Sequence, residues 1–412
     1  MLLWVAIDLS SAPSLHGGNR IDEAQRLGCR PEQLLDASAS LVPFPPSRAL
    51  QGCLRRALTD NTLRDYPDRS HQRLRDVISN WHGVDPLMVL PGNGAAELFT
   101  WAARDAAFEG VSGLPTPGFA DYGRALRCWQ ACQQALPLPL SWSGEMPQPF
   151  PGFSGSPTAS SPAGVAPTAP AVATSTAASP AGEPLAAGST AAAAEVAWIT
   201  NPHNPTGQLW SRASLEPLLE RYRLVICDEA FLPLVPHGEP QSLIPLVEAH
   251  PNLVVIRSLT KLYGIAGLRL GYALAQPERL QRWAGWRDPW PVNGIAAAVG
   301  EHLLRNPRRY QRWCRKVQRW TASEGVWLQR KLAELPGITA MPSAANFLLI
   351  RAQSSLLPLR EALEARHRIL LRDCRSFEGL GENWLRIGYQ SRRNNRRIIS
   401  AMRLELQRHP LA

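Results

Sequence analysis

Lys261 stands three residues after Ser258 and eight before Arg269 in the stretch RSLTKLYGIAGLRLGY, residues 257–272. Apolar runs on both sides, 252–256 and 271–275, make this loop a connection between two buried strands. Such strand ends are where α/β proteins assemble their sites. An amine held there loses hydration, so its pKa falls and it becomes a nucleophile. The hydroxyl of Ser258 and the guanidinium of Arg269 would bind an anion beside it. A solvated surface loop accounts for the same residues, so the rest of the chain has to decide.

Three other segments fall at strand ends. Residues 91–97 (PGNGAAE) form a glycine turn opening a helix, whose free N–H groups and positive dipole end suit a phosphate. The third glycine of a dinucleotide fingerprint is missing, and an ordinary helix start explains the turn equally well. Residues 201–207 (NPHNPTG) specify a rigid turn, in which the prolines and glycine are structural but the Asn204 amide is aimed from a strand end. Residues 227–231 (CDEAF) end an apolar run. A carboxylate at Asp228 would be desolvated at a cost unless it met a cation, and a helix cap is its plain alternative. Jointly the four segments describe one ligand, with an aldehyde for Lys261, a ring cation for Asp228, a ring oxygen for Asn204, and a phosphate for Ser258, Arg269 and the 92–96 turn. Pyridoxal 5'-phosphate carries all four groups.

The elements that must position these residues are short and alternate in type. Helical spacing covers 70–82 and 95–107, and apolar β-branched runs occupy 88–90, 196–200, 224–227 and 254–257, with a weak run at 111–115. Near-continuous apolar strands between helices imply a mostly parallel sheet covered on both faces, an α/β fold. From about residue 290 the pattern changes to long helices and the strands 346–351, 369–372 and 384–389, a smaller α+β domain. The expected organisation is an N-terminal arm (1–45), a large domain (46–290) and a small domain (291–412). Within the large domain, residues 143–194 are almost all Ala, Pro, Ser, Thr and Gly, which bury too little surface to offset ordering entropy, so a disordered insertion is expected.

Composition narrows the classes. The 412 residues are 45% hydrophobic and 19% charged, a globular balance. No apolar run reaches the roughly 18 residues of a membrane span, and MLLWVAIDLS at the start lacks a basic region and a long apolar core. Seven scattered cysteines without a C-x-x-C pair indicate neither a disulfide framework nor a metal site. A cytoplasmic protein without membrane or metal partners is expected. The net charge of +10 concentrates in 305–331 and 392–408, which read as amphipathic helices with solvated basic faces; no nucleic-acid module accompanies them.

The set GNGAAE, TPGFADYGRAL (116–126), NPHNPTG, DEAF, SLTK and GLRLGY resembles the fold-type I, aminotransferase-like family of pyridoxal-phosphate enzymes, over nearly the whole chain outside 143–194. The resemblance implies a large domain with a mostly parallel sheet of seven-stranded type and a small C-terminal domain. It makes Lys261 the Schiff-base lysine, pairs Asp228 with the pyridine nitrogen, lets Asn204 donate to the ring oxygen and stacks Phe119 on the ring. The cofactor phosphate falls to Gly94, Ala95, Ala96, Ser258 and Arg269. Tyr66-Pro67-Asp68 matches a segment that reaches over the neighbouring subunit's phosphate, which implies a homodimer with shared sites. Arg386 matches the arginine that forks onto a substrate α-carboxylate.

Within the family, residues 15–19 (LHGGN) and 33–39 (QLLDASA), RSLTK and 369–374 (ILLRDC) are similar to the threonine-phosphate decarboxylases of cobalamin biosynthesis. Those enzymes convert O-phospho-L-threonine to (R)-1-amino-2-propanol phosphate. This likeness places a substrate phosphate between His16, Gly17 and Arg372. Phe231 stands where many aminotransferases have tyrosine, as in the decarboxylases. The decarboxylase opening continues S-A-N-I-N-P, whereas here Ser38-Ala39-Ser40-Leu41-Val42-Pro43 has lost both asparagines and puts Ser40 near the substrate. The alternatives are a histidinol-phosphate or related amino-acid aminotransferase, or a binding protein that holds the cofactor without turnover.

Overall fold

The structure is a computed structural model, and it describes residues 16–153 and 193–411. A two-residue strand, β1 (Leu35–Asp36), comes first. The central sheet follows, from β2 (Val89–Asn93), β3 (Ser112–Thr116), β4 (Gln133–Pro137), β5 (Val196–Thr200), β6 (Leu224–Asp228), β7 (Leu253–Ser258) and β8 (Leu270–Leu274). Their spatial order is β2-β8-β7-β6-β5-β3-β4. The contiguous pairs from β7 to β4 are parallel, and β8 alone runs antiparallel to both its neighbours. The seven strands in an α/β fold agree with the sequence expectation. The weak run at 111–115 is a strand: the Trp198 indole N–H reaches the Ser112 hydroxyl, and Gly113 meets Leu136 so closely that no side chain would fit.

Alternation along the strands divides the core in two. Val196, Trp198, Leu224, Ile226, Val254 and Ile256 pack with the helix Gly94–Glu109 on one face. Ala197, Ile199, Val225, Cys227, Leu253 and Val255 face the other layer and the long helix Pro307–Ala333. The period of two therefore continues to the strand ends. Asp228 falls on the same face as Leu224 and Ile226, while Arg257 falls on the opposite one.

Arg257 is nearly inaccessible and ion-paired to Glu229, itself fully buried, and to Glu239 at 2.9 Å. Glu229 also accepts from the Ser242 hydroxyl and the Leu243 N–H, both at 2.7 Å. This network ties β6, β7 and the 239–243 turn together directly behind the site-bearing strand ends.

The small domain carries β9 (Thr339–Ala340), β10 (Phe347–Arg351), β11 (Ile369–Leu370), β12 (Arg372–Asp373) and β13 (Trp384–Gly388). Four of these form the sheet β12-β13-β10-β9, and β11 pairs in parallel with β1, which brings the N-terminal arm onto this domain.

Three local expectations change. The helix expected at 70–82 spans Gln72–His82, because Asp68 accepts from the Ser70 and Gln72 N–H groups and His71 is left-handed (φ 49°). The strand expected at 88–90 continues to Asn93, paired throughout with β8. The expected disordered insertion starts too early: Gln148 exchanges backbone hydrogen bonds with Leu209 and Ser211, Phe150 meets the buried Trp210 edge-on at 4.7 Å, and Phe153 is buried. Two phenylalanines supply apolar area that the surrounding Pro/Ser/Gly composition masks. Residues 154–192 lie outside the described residues. No helix among the described residues is long and apolar enough to cross a membrane.

Replacing Arg257 by leucine strands the Glu229 carboxylate in the core. The expected loss is about 3–5 kcal/mol of unfolding free energy, read by urea denaturation.

Candidate active site

The carboxyl ends of β3, β5, β6 and β7, the end of β2 and the start of the antiparallel β8 all lie along one edge of the sheet. Phe119, Asn204, Asp228, Lys261, Gly94 and Arg269 follow or end these strands, so the topology alone gathers them. The small-domain residues Arg372 and Arg386 and the arm residues His16, Gly17 and Ser40 close the other side. Apart from Gly94, they line a cleft of about 240 Å³. That is room for a small molecule, well beyond a packing void.

Asp228 is 5% exposed. Its carboxylate accepts from the Tyr122 hydroxyl at 2.8 Å and from the Ala230 N–H at 2.9 Å. Burial pushes its pKa up to about 6, against the pull of both donors and of Lys261. A bound cation would reverse that push. Lys261 is half-buried by area, but its ammonium lies inside the cleft, 5.5 Å from the centre of the Phe231 ring. Desolvation draws its pKa down to about 8, with Arg386 and Arg269 adding repulsion and Asp228 opposing them.

The anion-binding end is built around Gly94, which has φ 73° and opens the sixteen-residue helix Gly94–Glu109. A side chain there would collide with the Arg269 guanidinium, so the glycine keeps helix N-terminus and cation together. The Ser258 hydroxyl caps the short helix Leu259–Tyr263 and shares a 2.6 Å hydrogen bond with Thr260, another cleft residue. Ala95 and Ala96 line the cleft beside them.

At the opposite end, Arg386 is buried, donates to the Asn204 side-chain oxygen and, at 3.2 Å, to the Ser38 carbonyl. Arg372 is buried too and donates to Ser376 at 2.6 Å. The two guanidiniums lie 5.7 and 5.2 Å from the same ring, Phe377. Burial pulls both below the ordinary arginine range, and Arg372 further disfavours the charge on Arg386. His16 leans over Phe119, ring centres 5.7 Å apart, and desolvation lowers its pKa although Asp121 opposes the shift. The Ser40 hydroxyl is buried and has no hydrogen-bond partner among the described residues.

All the site candidates from the sequence except Gly94, which stands next to the lining residue Ala95, and Tyr66 line this cleft. Tyr66 is 78% exposed and stacks on Trp290, ring centres 4.3 Å apart. Sequence reasoning missed Tyr122, Thr260, Asp121 and Phe377. Tyr122 had a signal, standing three residues after Phe119 in TPGFADYGRAL, but only the fold shows that its hydroxyl crosses from the Asp121–Arg127 helix to Asp228.

The donor set fits pyridoxal phosphate. A buried carboxylate wants a ring cation, an amine of lowered pKa faces the same cleft, and a glycine-opened helix with an arginine suits a phosphate. The family model described as "Aminotransferase class I and II" matches residues 176–402. The chain is 31% identical to threonine-phosphate decarboxylase of Salmonella typhimurium, over 95% of this chain and 96% of that protein. This chain belongs to the class I and II aminotransferase family. It is therefore an enzyme of that family, dependent on pyridoxal phosphate. Histidinol-phosphate aminotransferase of Symbiobacterium thermophilum is 28% identical over 94% of this chain and 95% of its own length. The same fold occurs in histidinol-phosphate aminotransferase from Sinorhizobium meliloti, solved with pyridoxal-5'-phosphate, at TM-score 0.73, 17% identity and 99% coverage of both chains.

Removing the Tyr122 hydroxyl takes one of two hydrogen bonds from the Asp228 carboxylate and leaves the ring in place. Tyr122→Phe is expected to bind pyridoxal phosphate about tenfold more weakly, measured by equilibrium dialysis, with little change in fold by circular dichroism.

Proposed function

We propose that this enzyme decarboxylates O-phospho-L-threonine to (R)-1-amino-2-propanol phosphate, acting in cobalamin biosynthesis as a homodimer. The observation that carries the reading is the pair of buried arginines, Arg372 and Arg386, facing one cleft with Lys261. Two desolvated cations call for two anionic groups on one substrate, a carboxylate and a phosphate. The 31% likeness to a threonine-phosphate decarboxylase along nearly the whole chain supports the choice of reaction.

When bound, pyridoxal phosphate supplies an electron sink for the bond that leaves Cα. Lys261 is the amine that anchors its aldehyde, and Asp228, held by Tyr122 and Ala230, keeps the ring nitrogen protonated. With its Oδ1 taken by Arg386, Asn204 would have its Nδ2–H left for the ring oxygen, and Phe119 would supply an apolar face for the ring. Gly94, Ala95, Ala96, Ser258 and Arg269 would hold the cofactor phosphate, and the exposed Tyr66 would serve the site of the second subunit.

Arg386 grips the α-carboxylate and so sets the angle of the Cα–carboxylate bond. His16, Gly17 and Arg372 hold the substrate phosphate, with Ser40 beside them. That grip also restrains the phosphate from leaving Cβ. Once carbon dioxide departs with the Cα–carboxylate bond broken, Lys261 delivers a proton from Nζ to Cα. A pKa of about 8 poises the amine for both capture and delivery.

A paired assay tests the reading. O-phospho-L-threonine is expected to yield carbon dioxide and aminopropanol phosphate, and L-histidinol phosphate with 2-oxoglutarate to yield no glutamate. Glutamate without carbon dioxide would establish a histidinol-phosphate type aminotransferase instead. Lys261→Ala should lose the borohydride-reducible cofactor adduct, and an adduct at another lysine would overturn the assignment. Capture of added pyridoxal phosphate by the apoenzyme should accelerate as pH rises through about 8, because Lys261 is protonated and unreactive below that value and neutral above it.

A further inference from the structure

Ser38 lies on the arm segment that crosses the cleft, and it touches both ends of the substrate site without being a predicted ligand. Its backbone is held firmly. The Ala37 N–H donates to Leu370 at 2.9 Å and the Gly388 N–H donates to the Ala37 carbonyl at 2.8 Å, bolting the segment to β11 and β13. The Asp36 carboxylate accepts from the Ser38 N–H at 2.9 Å and from the Ser38 hydroxyl at 2.6 Å. That oriented hydroxyl accepts in turn from the Gly18 N–H at 3.0 Å. The Ser38 carbonyl accepts from Arg386 at 3.2 Å.

The two glycines after His16 have separate reasons to be glycine. A Cβ on Gly17 would lie 2.5 Å from the Ser38 carbonyl oxygen and 2.7 Å from its carbon, a backbone contact that cannot swing aside. Gly18 has φ 92°, a region other residues rarely adopt. Loop and Ser38 are thus in close backbone approach, and the hydroxyl adds a directional bond between them.

We propose that Ser38 is a positioning residue, a latch that holds the His16-Gly17-Gly18 loop over the cleft and links that loop to the carboxylate-binding Arg386. This rests on the proposed substrate, since the loop matters to turnover only if His16 and Gly17 face the substrate phosphate. A carboxylate drawing on Arg386 acts on the Ser38 carbonyl, and a phosphate drawing on the loop acts on the Ser38 hydroxyl. One residue thereby senses both ends of a doubly anionic substrate, and the rigid Asp36 contacts keep it from drifting.

The test uses holoenzyme carrying Ser38→Ala, in which Asp36 keeps the Ser38 and Ala39 backbone N–H groups. Without substrate, amide hydrogen exchange across residues 16–19 is expected to be about tenfold faster than in the parent, while β11 and β13 are unchanged. With O-phospho-L-threonine, KM is expected to rise roughly tenfold with kcat nearly constant, because the grip and not the chemistry is weakened. Gly17→Ala, which pushes the loop away from the other side, should give the same exchange change. Unchanged exchange at 16–19 in both variants would overturn the latch, as would a fall in kcat at constant KM. If the parent enzyme fails to turn over the phosphorylated substrate while exchange responds as expected, the substrate reading falls and the latch stands.

Discussion

The constraint on which this site depends is the desolvated carboxylate of Asp228. It ends a strand whose preceding residues, Leu224 through Cys227, are fully buried, and is itself left only 5% exposed, at the cleft wall. Tyr122 and Ala230 satisfy part of its hydrogen-bonding capacity, and burial still pushes the acid toward neutrality. A cation placed beside it would offset that cost. The surrounding apolar packing of Trp198, Phe99 and Tyr122 keeps the interaction in a low-dielectric setting, where a cation is worth far more than in water.

Holding a carboxylate at that spot requires strand ends that do not yield. The opposite face supplies this through the Arg257–Glu229–Glu239 network, one residue out of phase with Asp228 and Ser258. The strand period of two thus separates the chemistry from its mechanical support. Asp228 and Ser258 face the cleft, and their neighbours Glu229 and Arg257 clamp the strands together. The antiparallel β8 completes the arrangement, because its reversed direction delivers Arg269 to the same edge as the carboxyl ends of the other strands.

The substrate end has a different construction. Arg372 and Arg386 stand on the small-domain strands β12 and β13, directly opposite each other in register. Two like charges so placed, both stripped of water, are unfavourable unless anions arrive. The arm residues are pinned to the same domain by β1 and β11. Loop, arm and arginines therefore form one body facing the cofactor side, which suits a ligand bearing anionic groups at both ends.

Much of this was legible in the chain itself. Apolar runs of β-branched residues announced β5, β6 and β7, and polar residues at their ends announced Asp228, Asn204 and Lys261, because a strand that is buried on both faces leaves polar groups only at its tips. The order of residues 148–153 is hidden in the composition, since Phe150 packs on Trp210 and Phe153 on Tyr222, both far along the chain. Tyr122 could not be assigned because its partner, Asp228, is 106 residues away. The role of Ser38 depends on Gly18, Asp36 and Arg386, which converge on it only in the folded chain. The sequence by itself determined which chemical groups sit at strand ends, because local patterning and residue type settle that. Only the tertiary structure decided which of them share a hydrogen bond or a desolvated charge, because those depend on contacts between residues far apart in the chain.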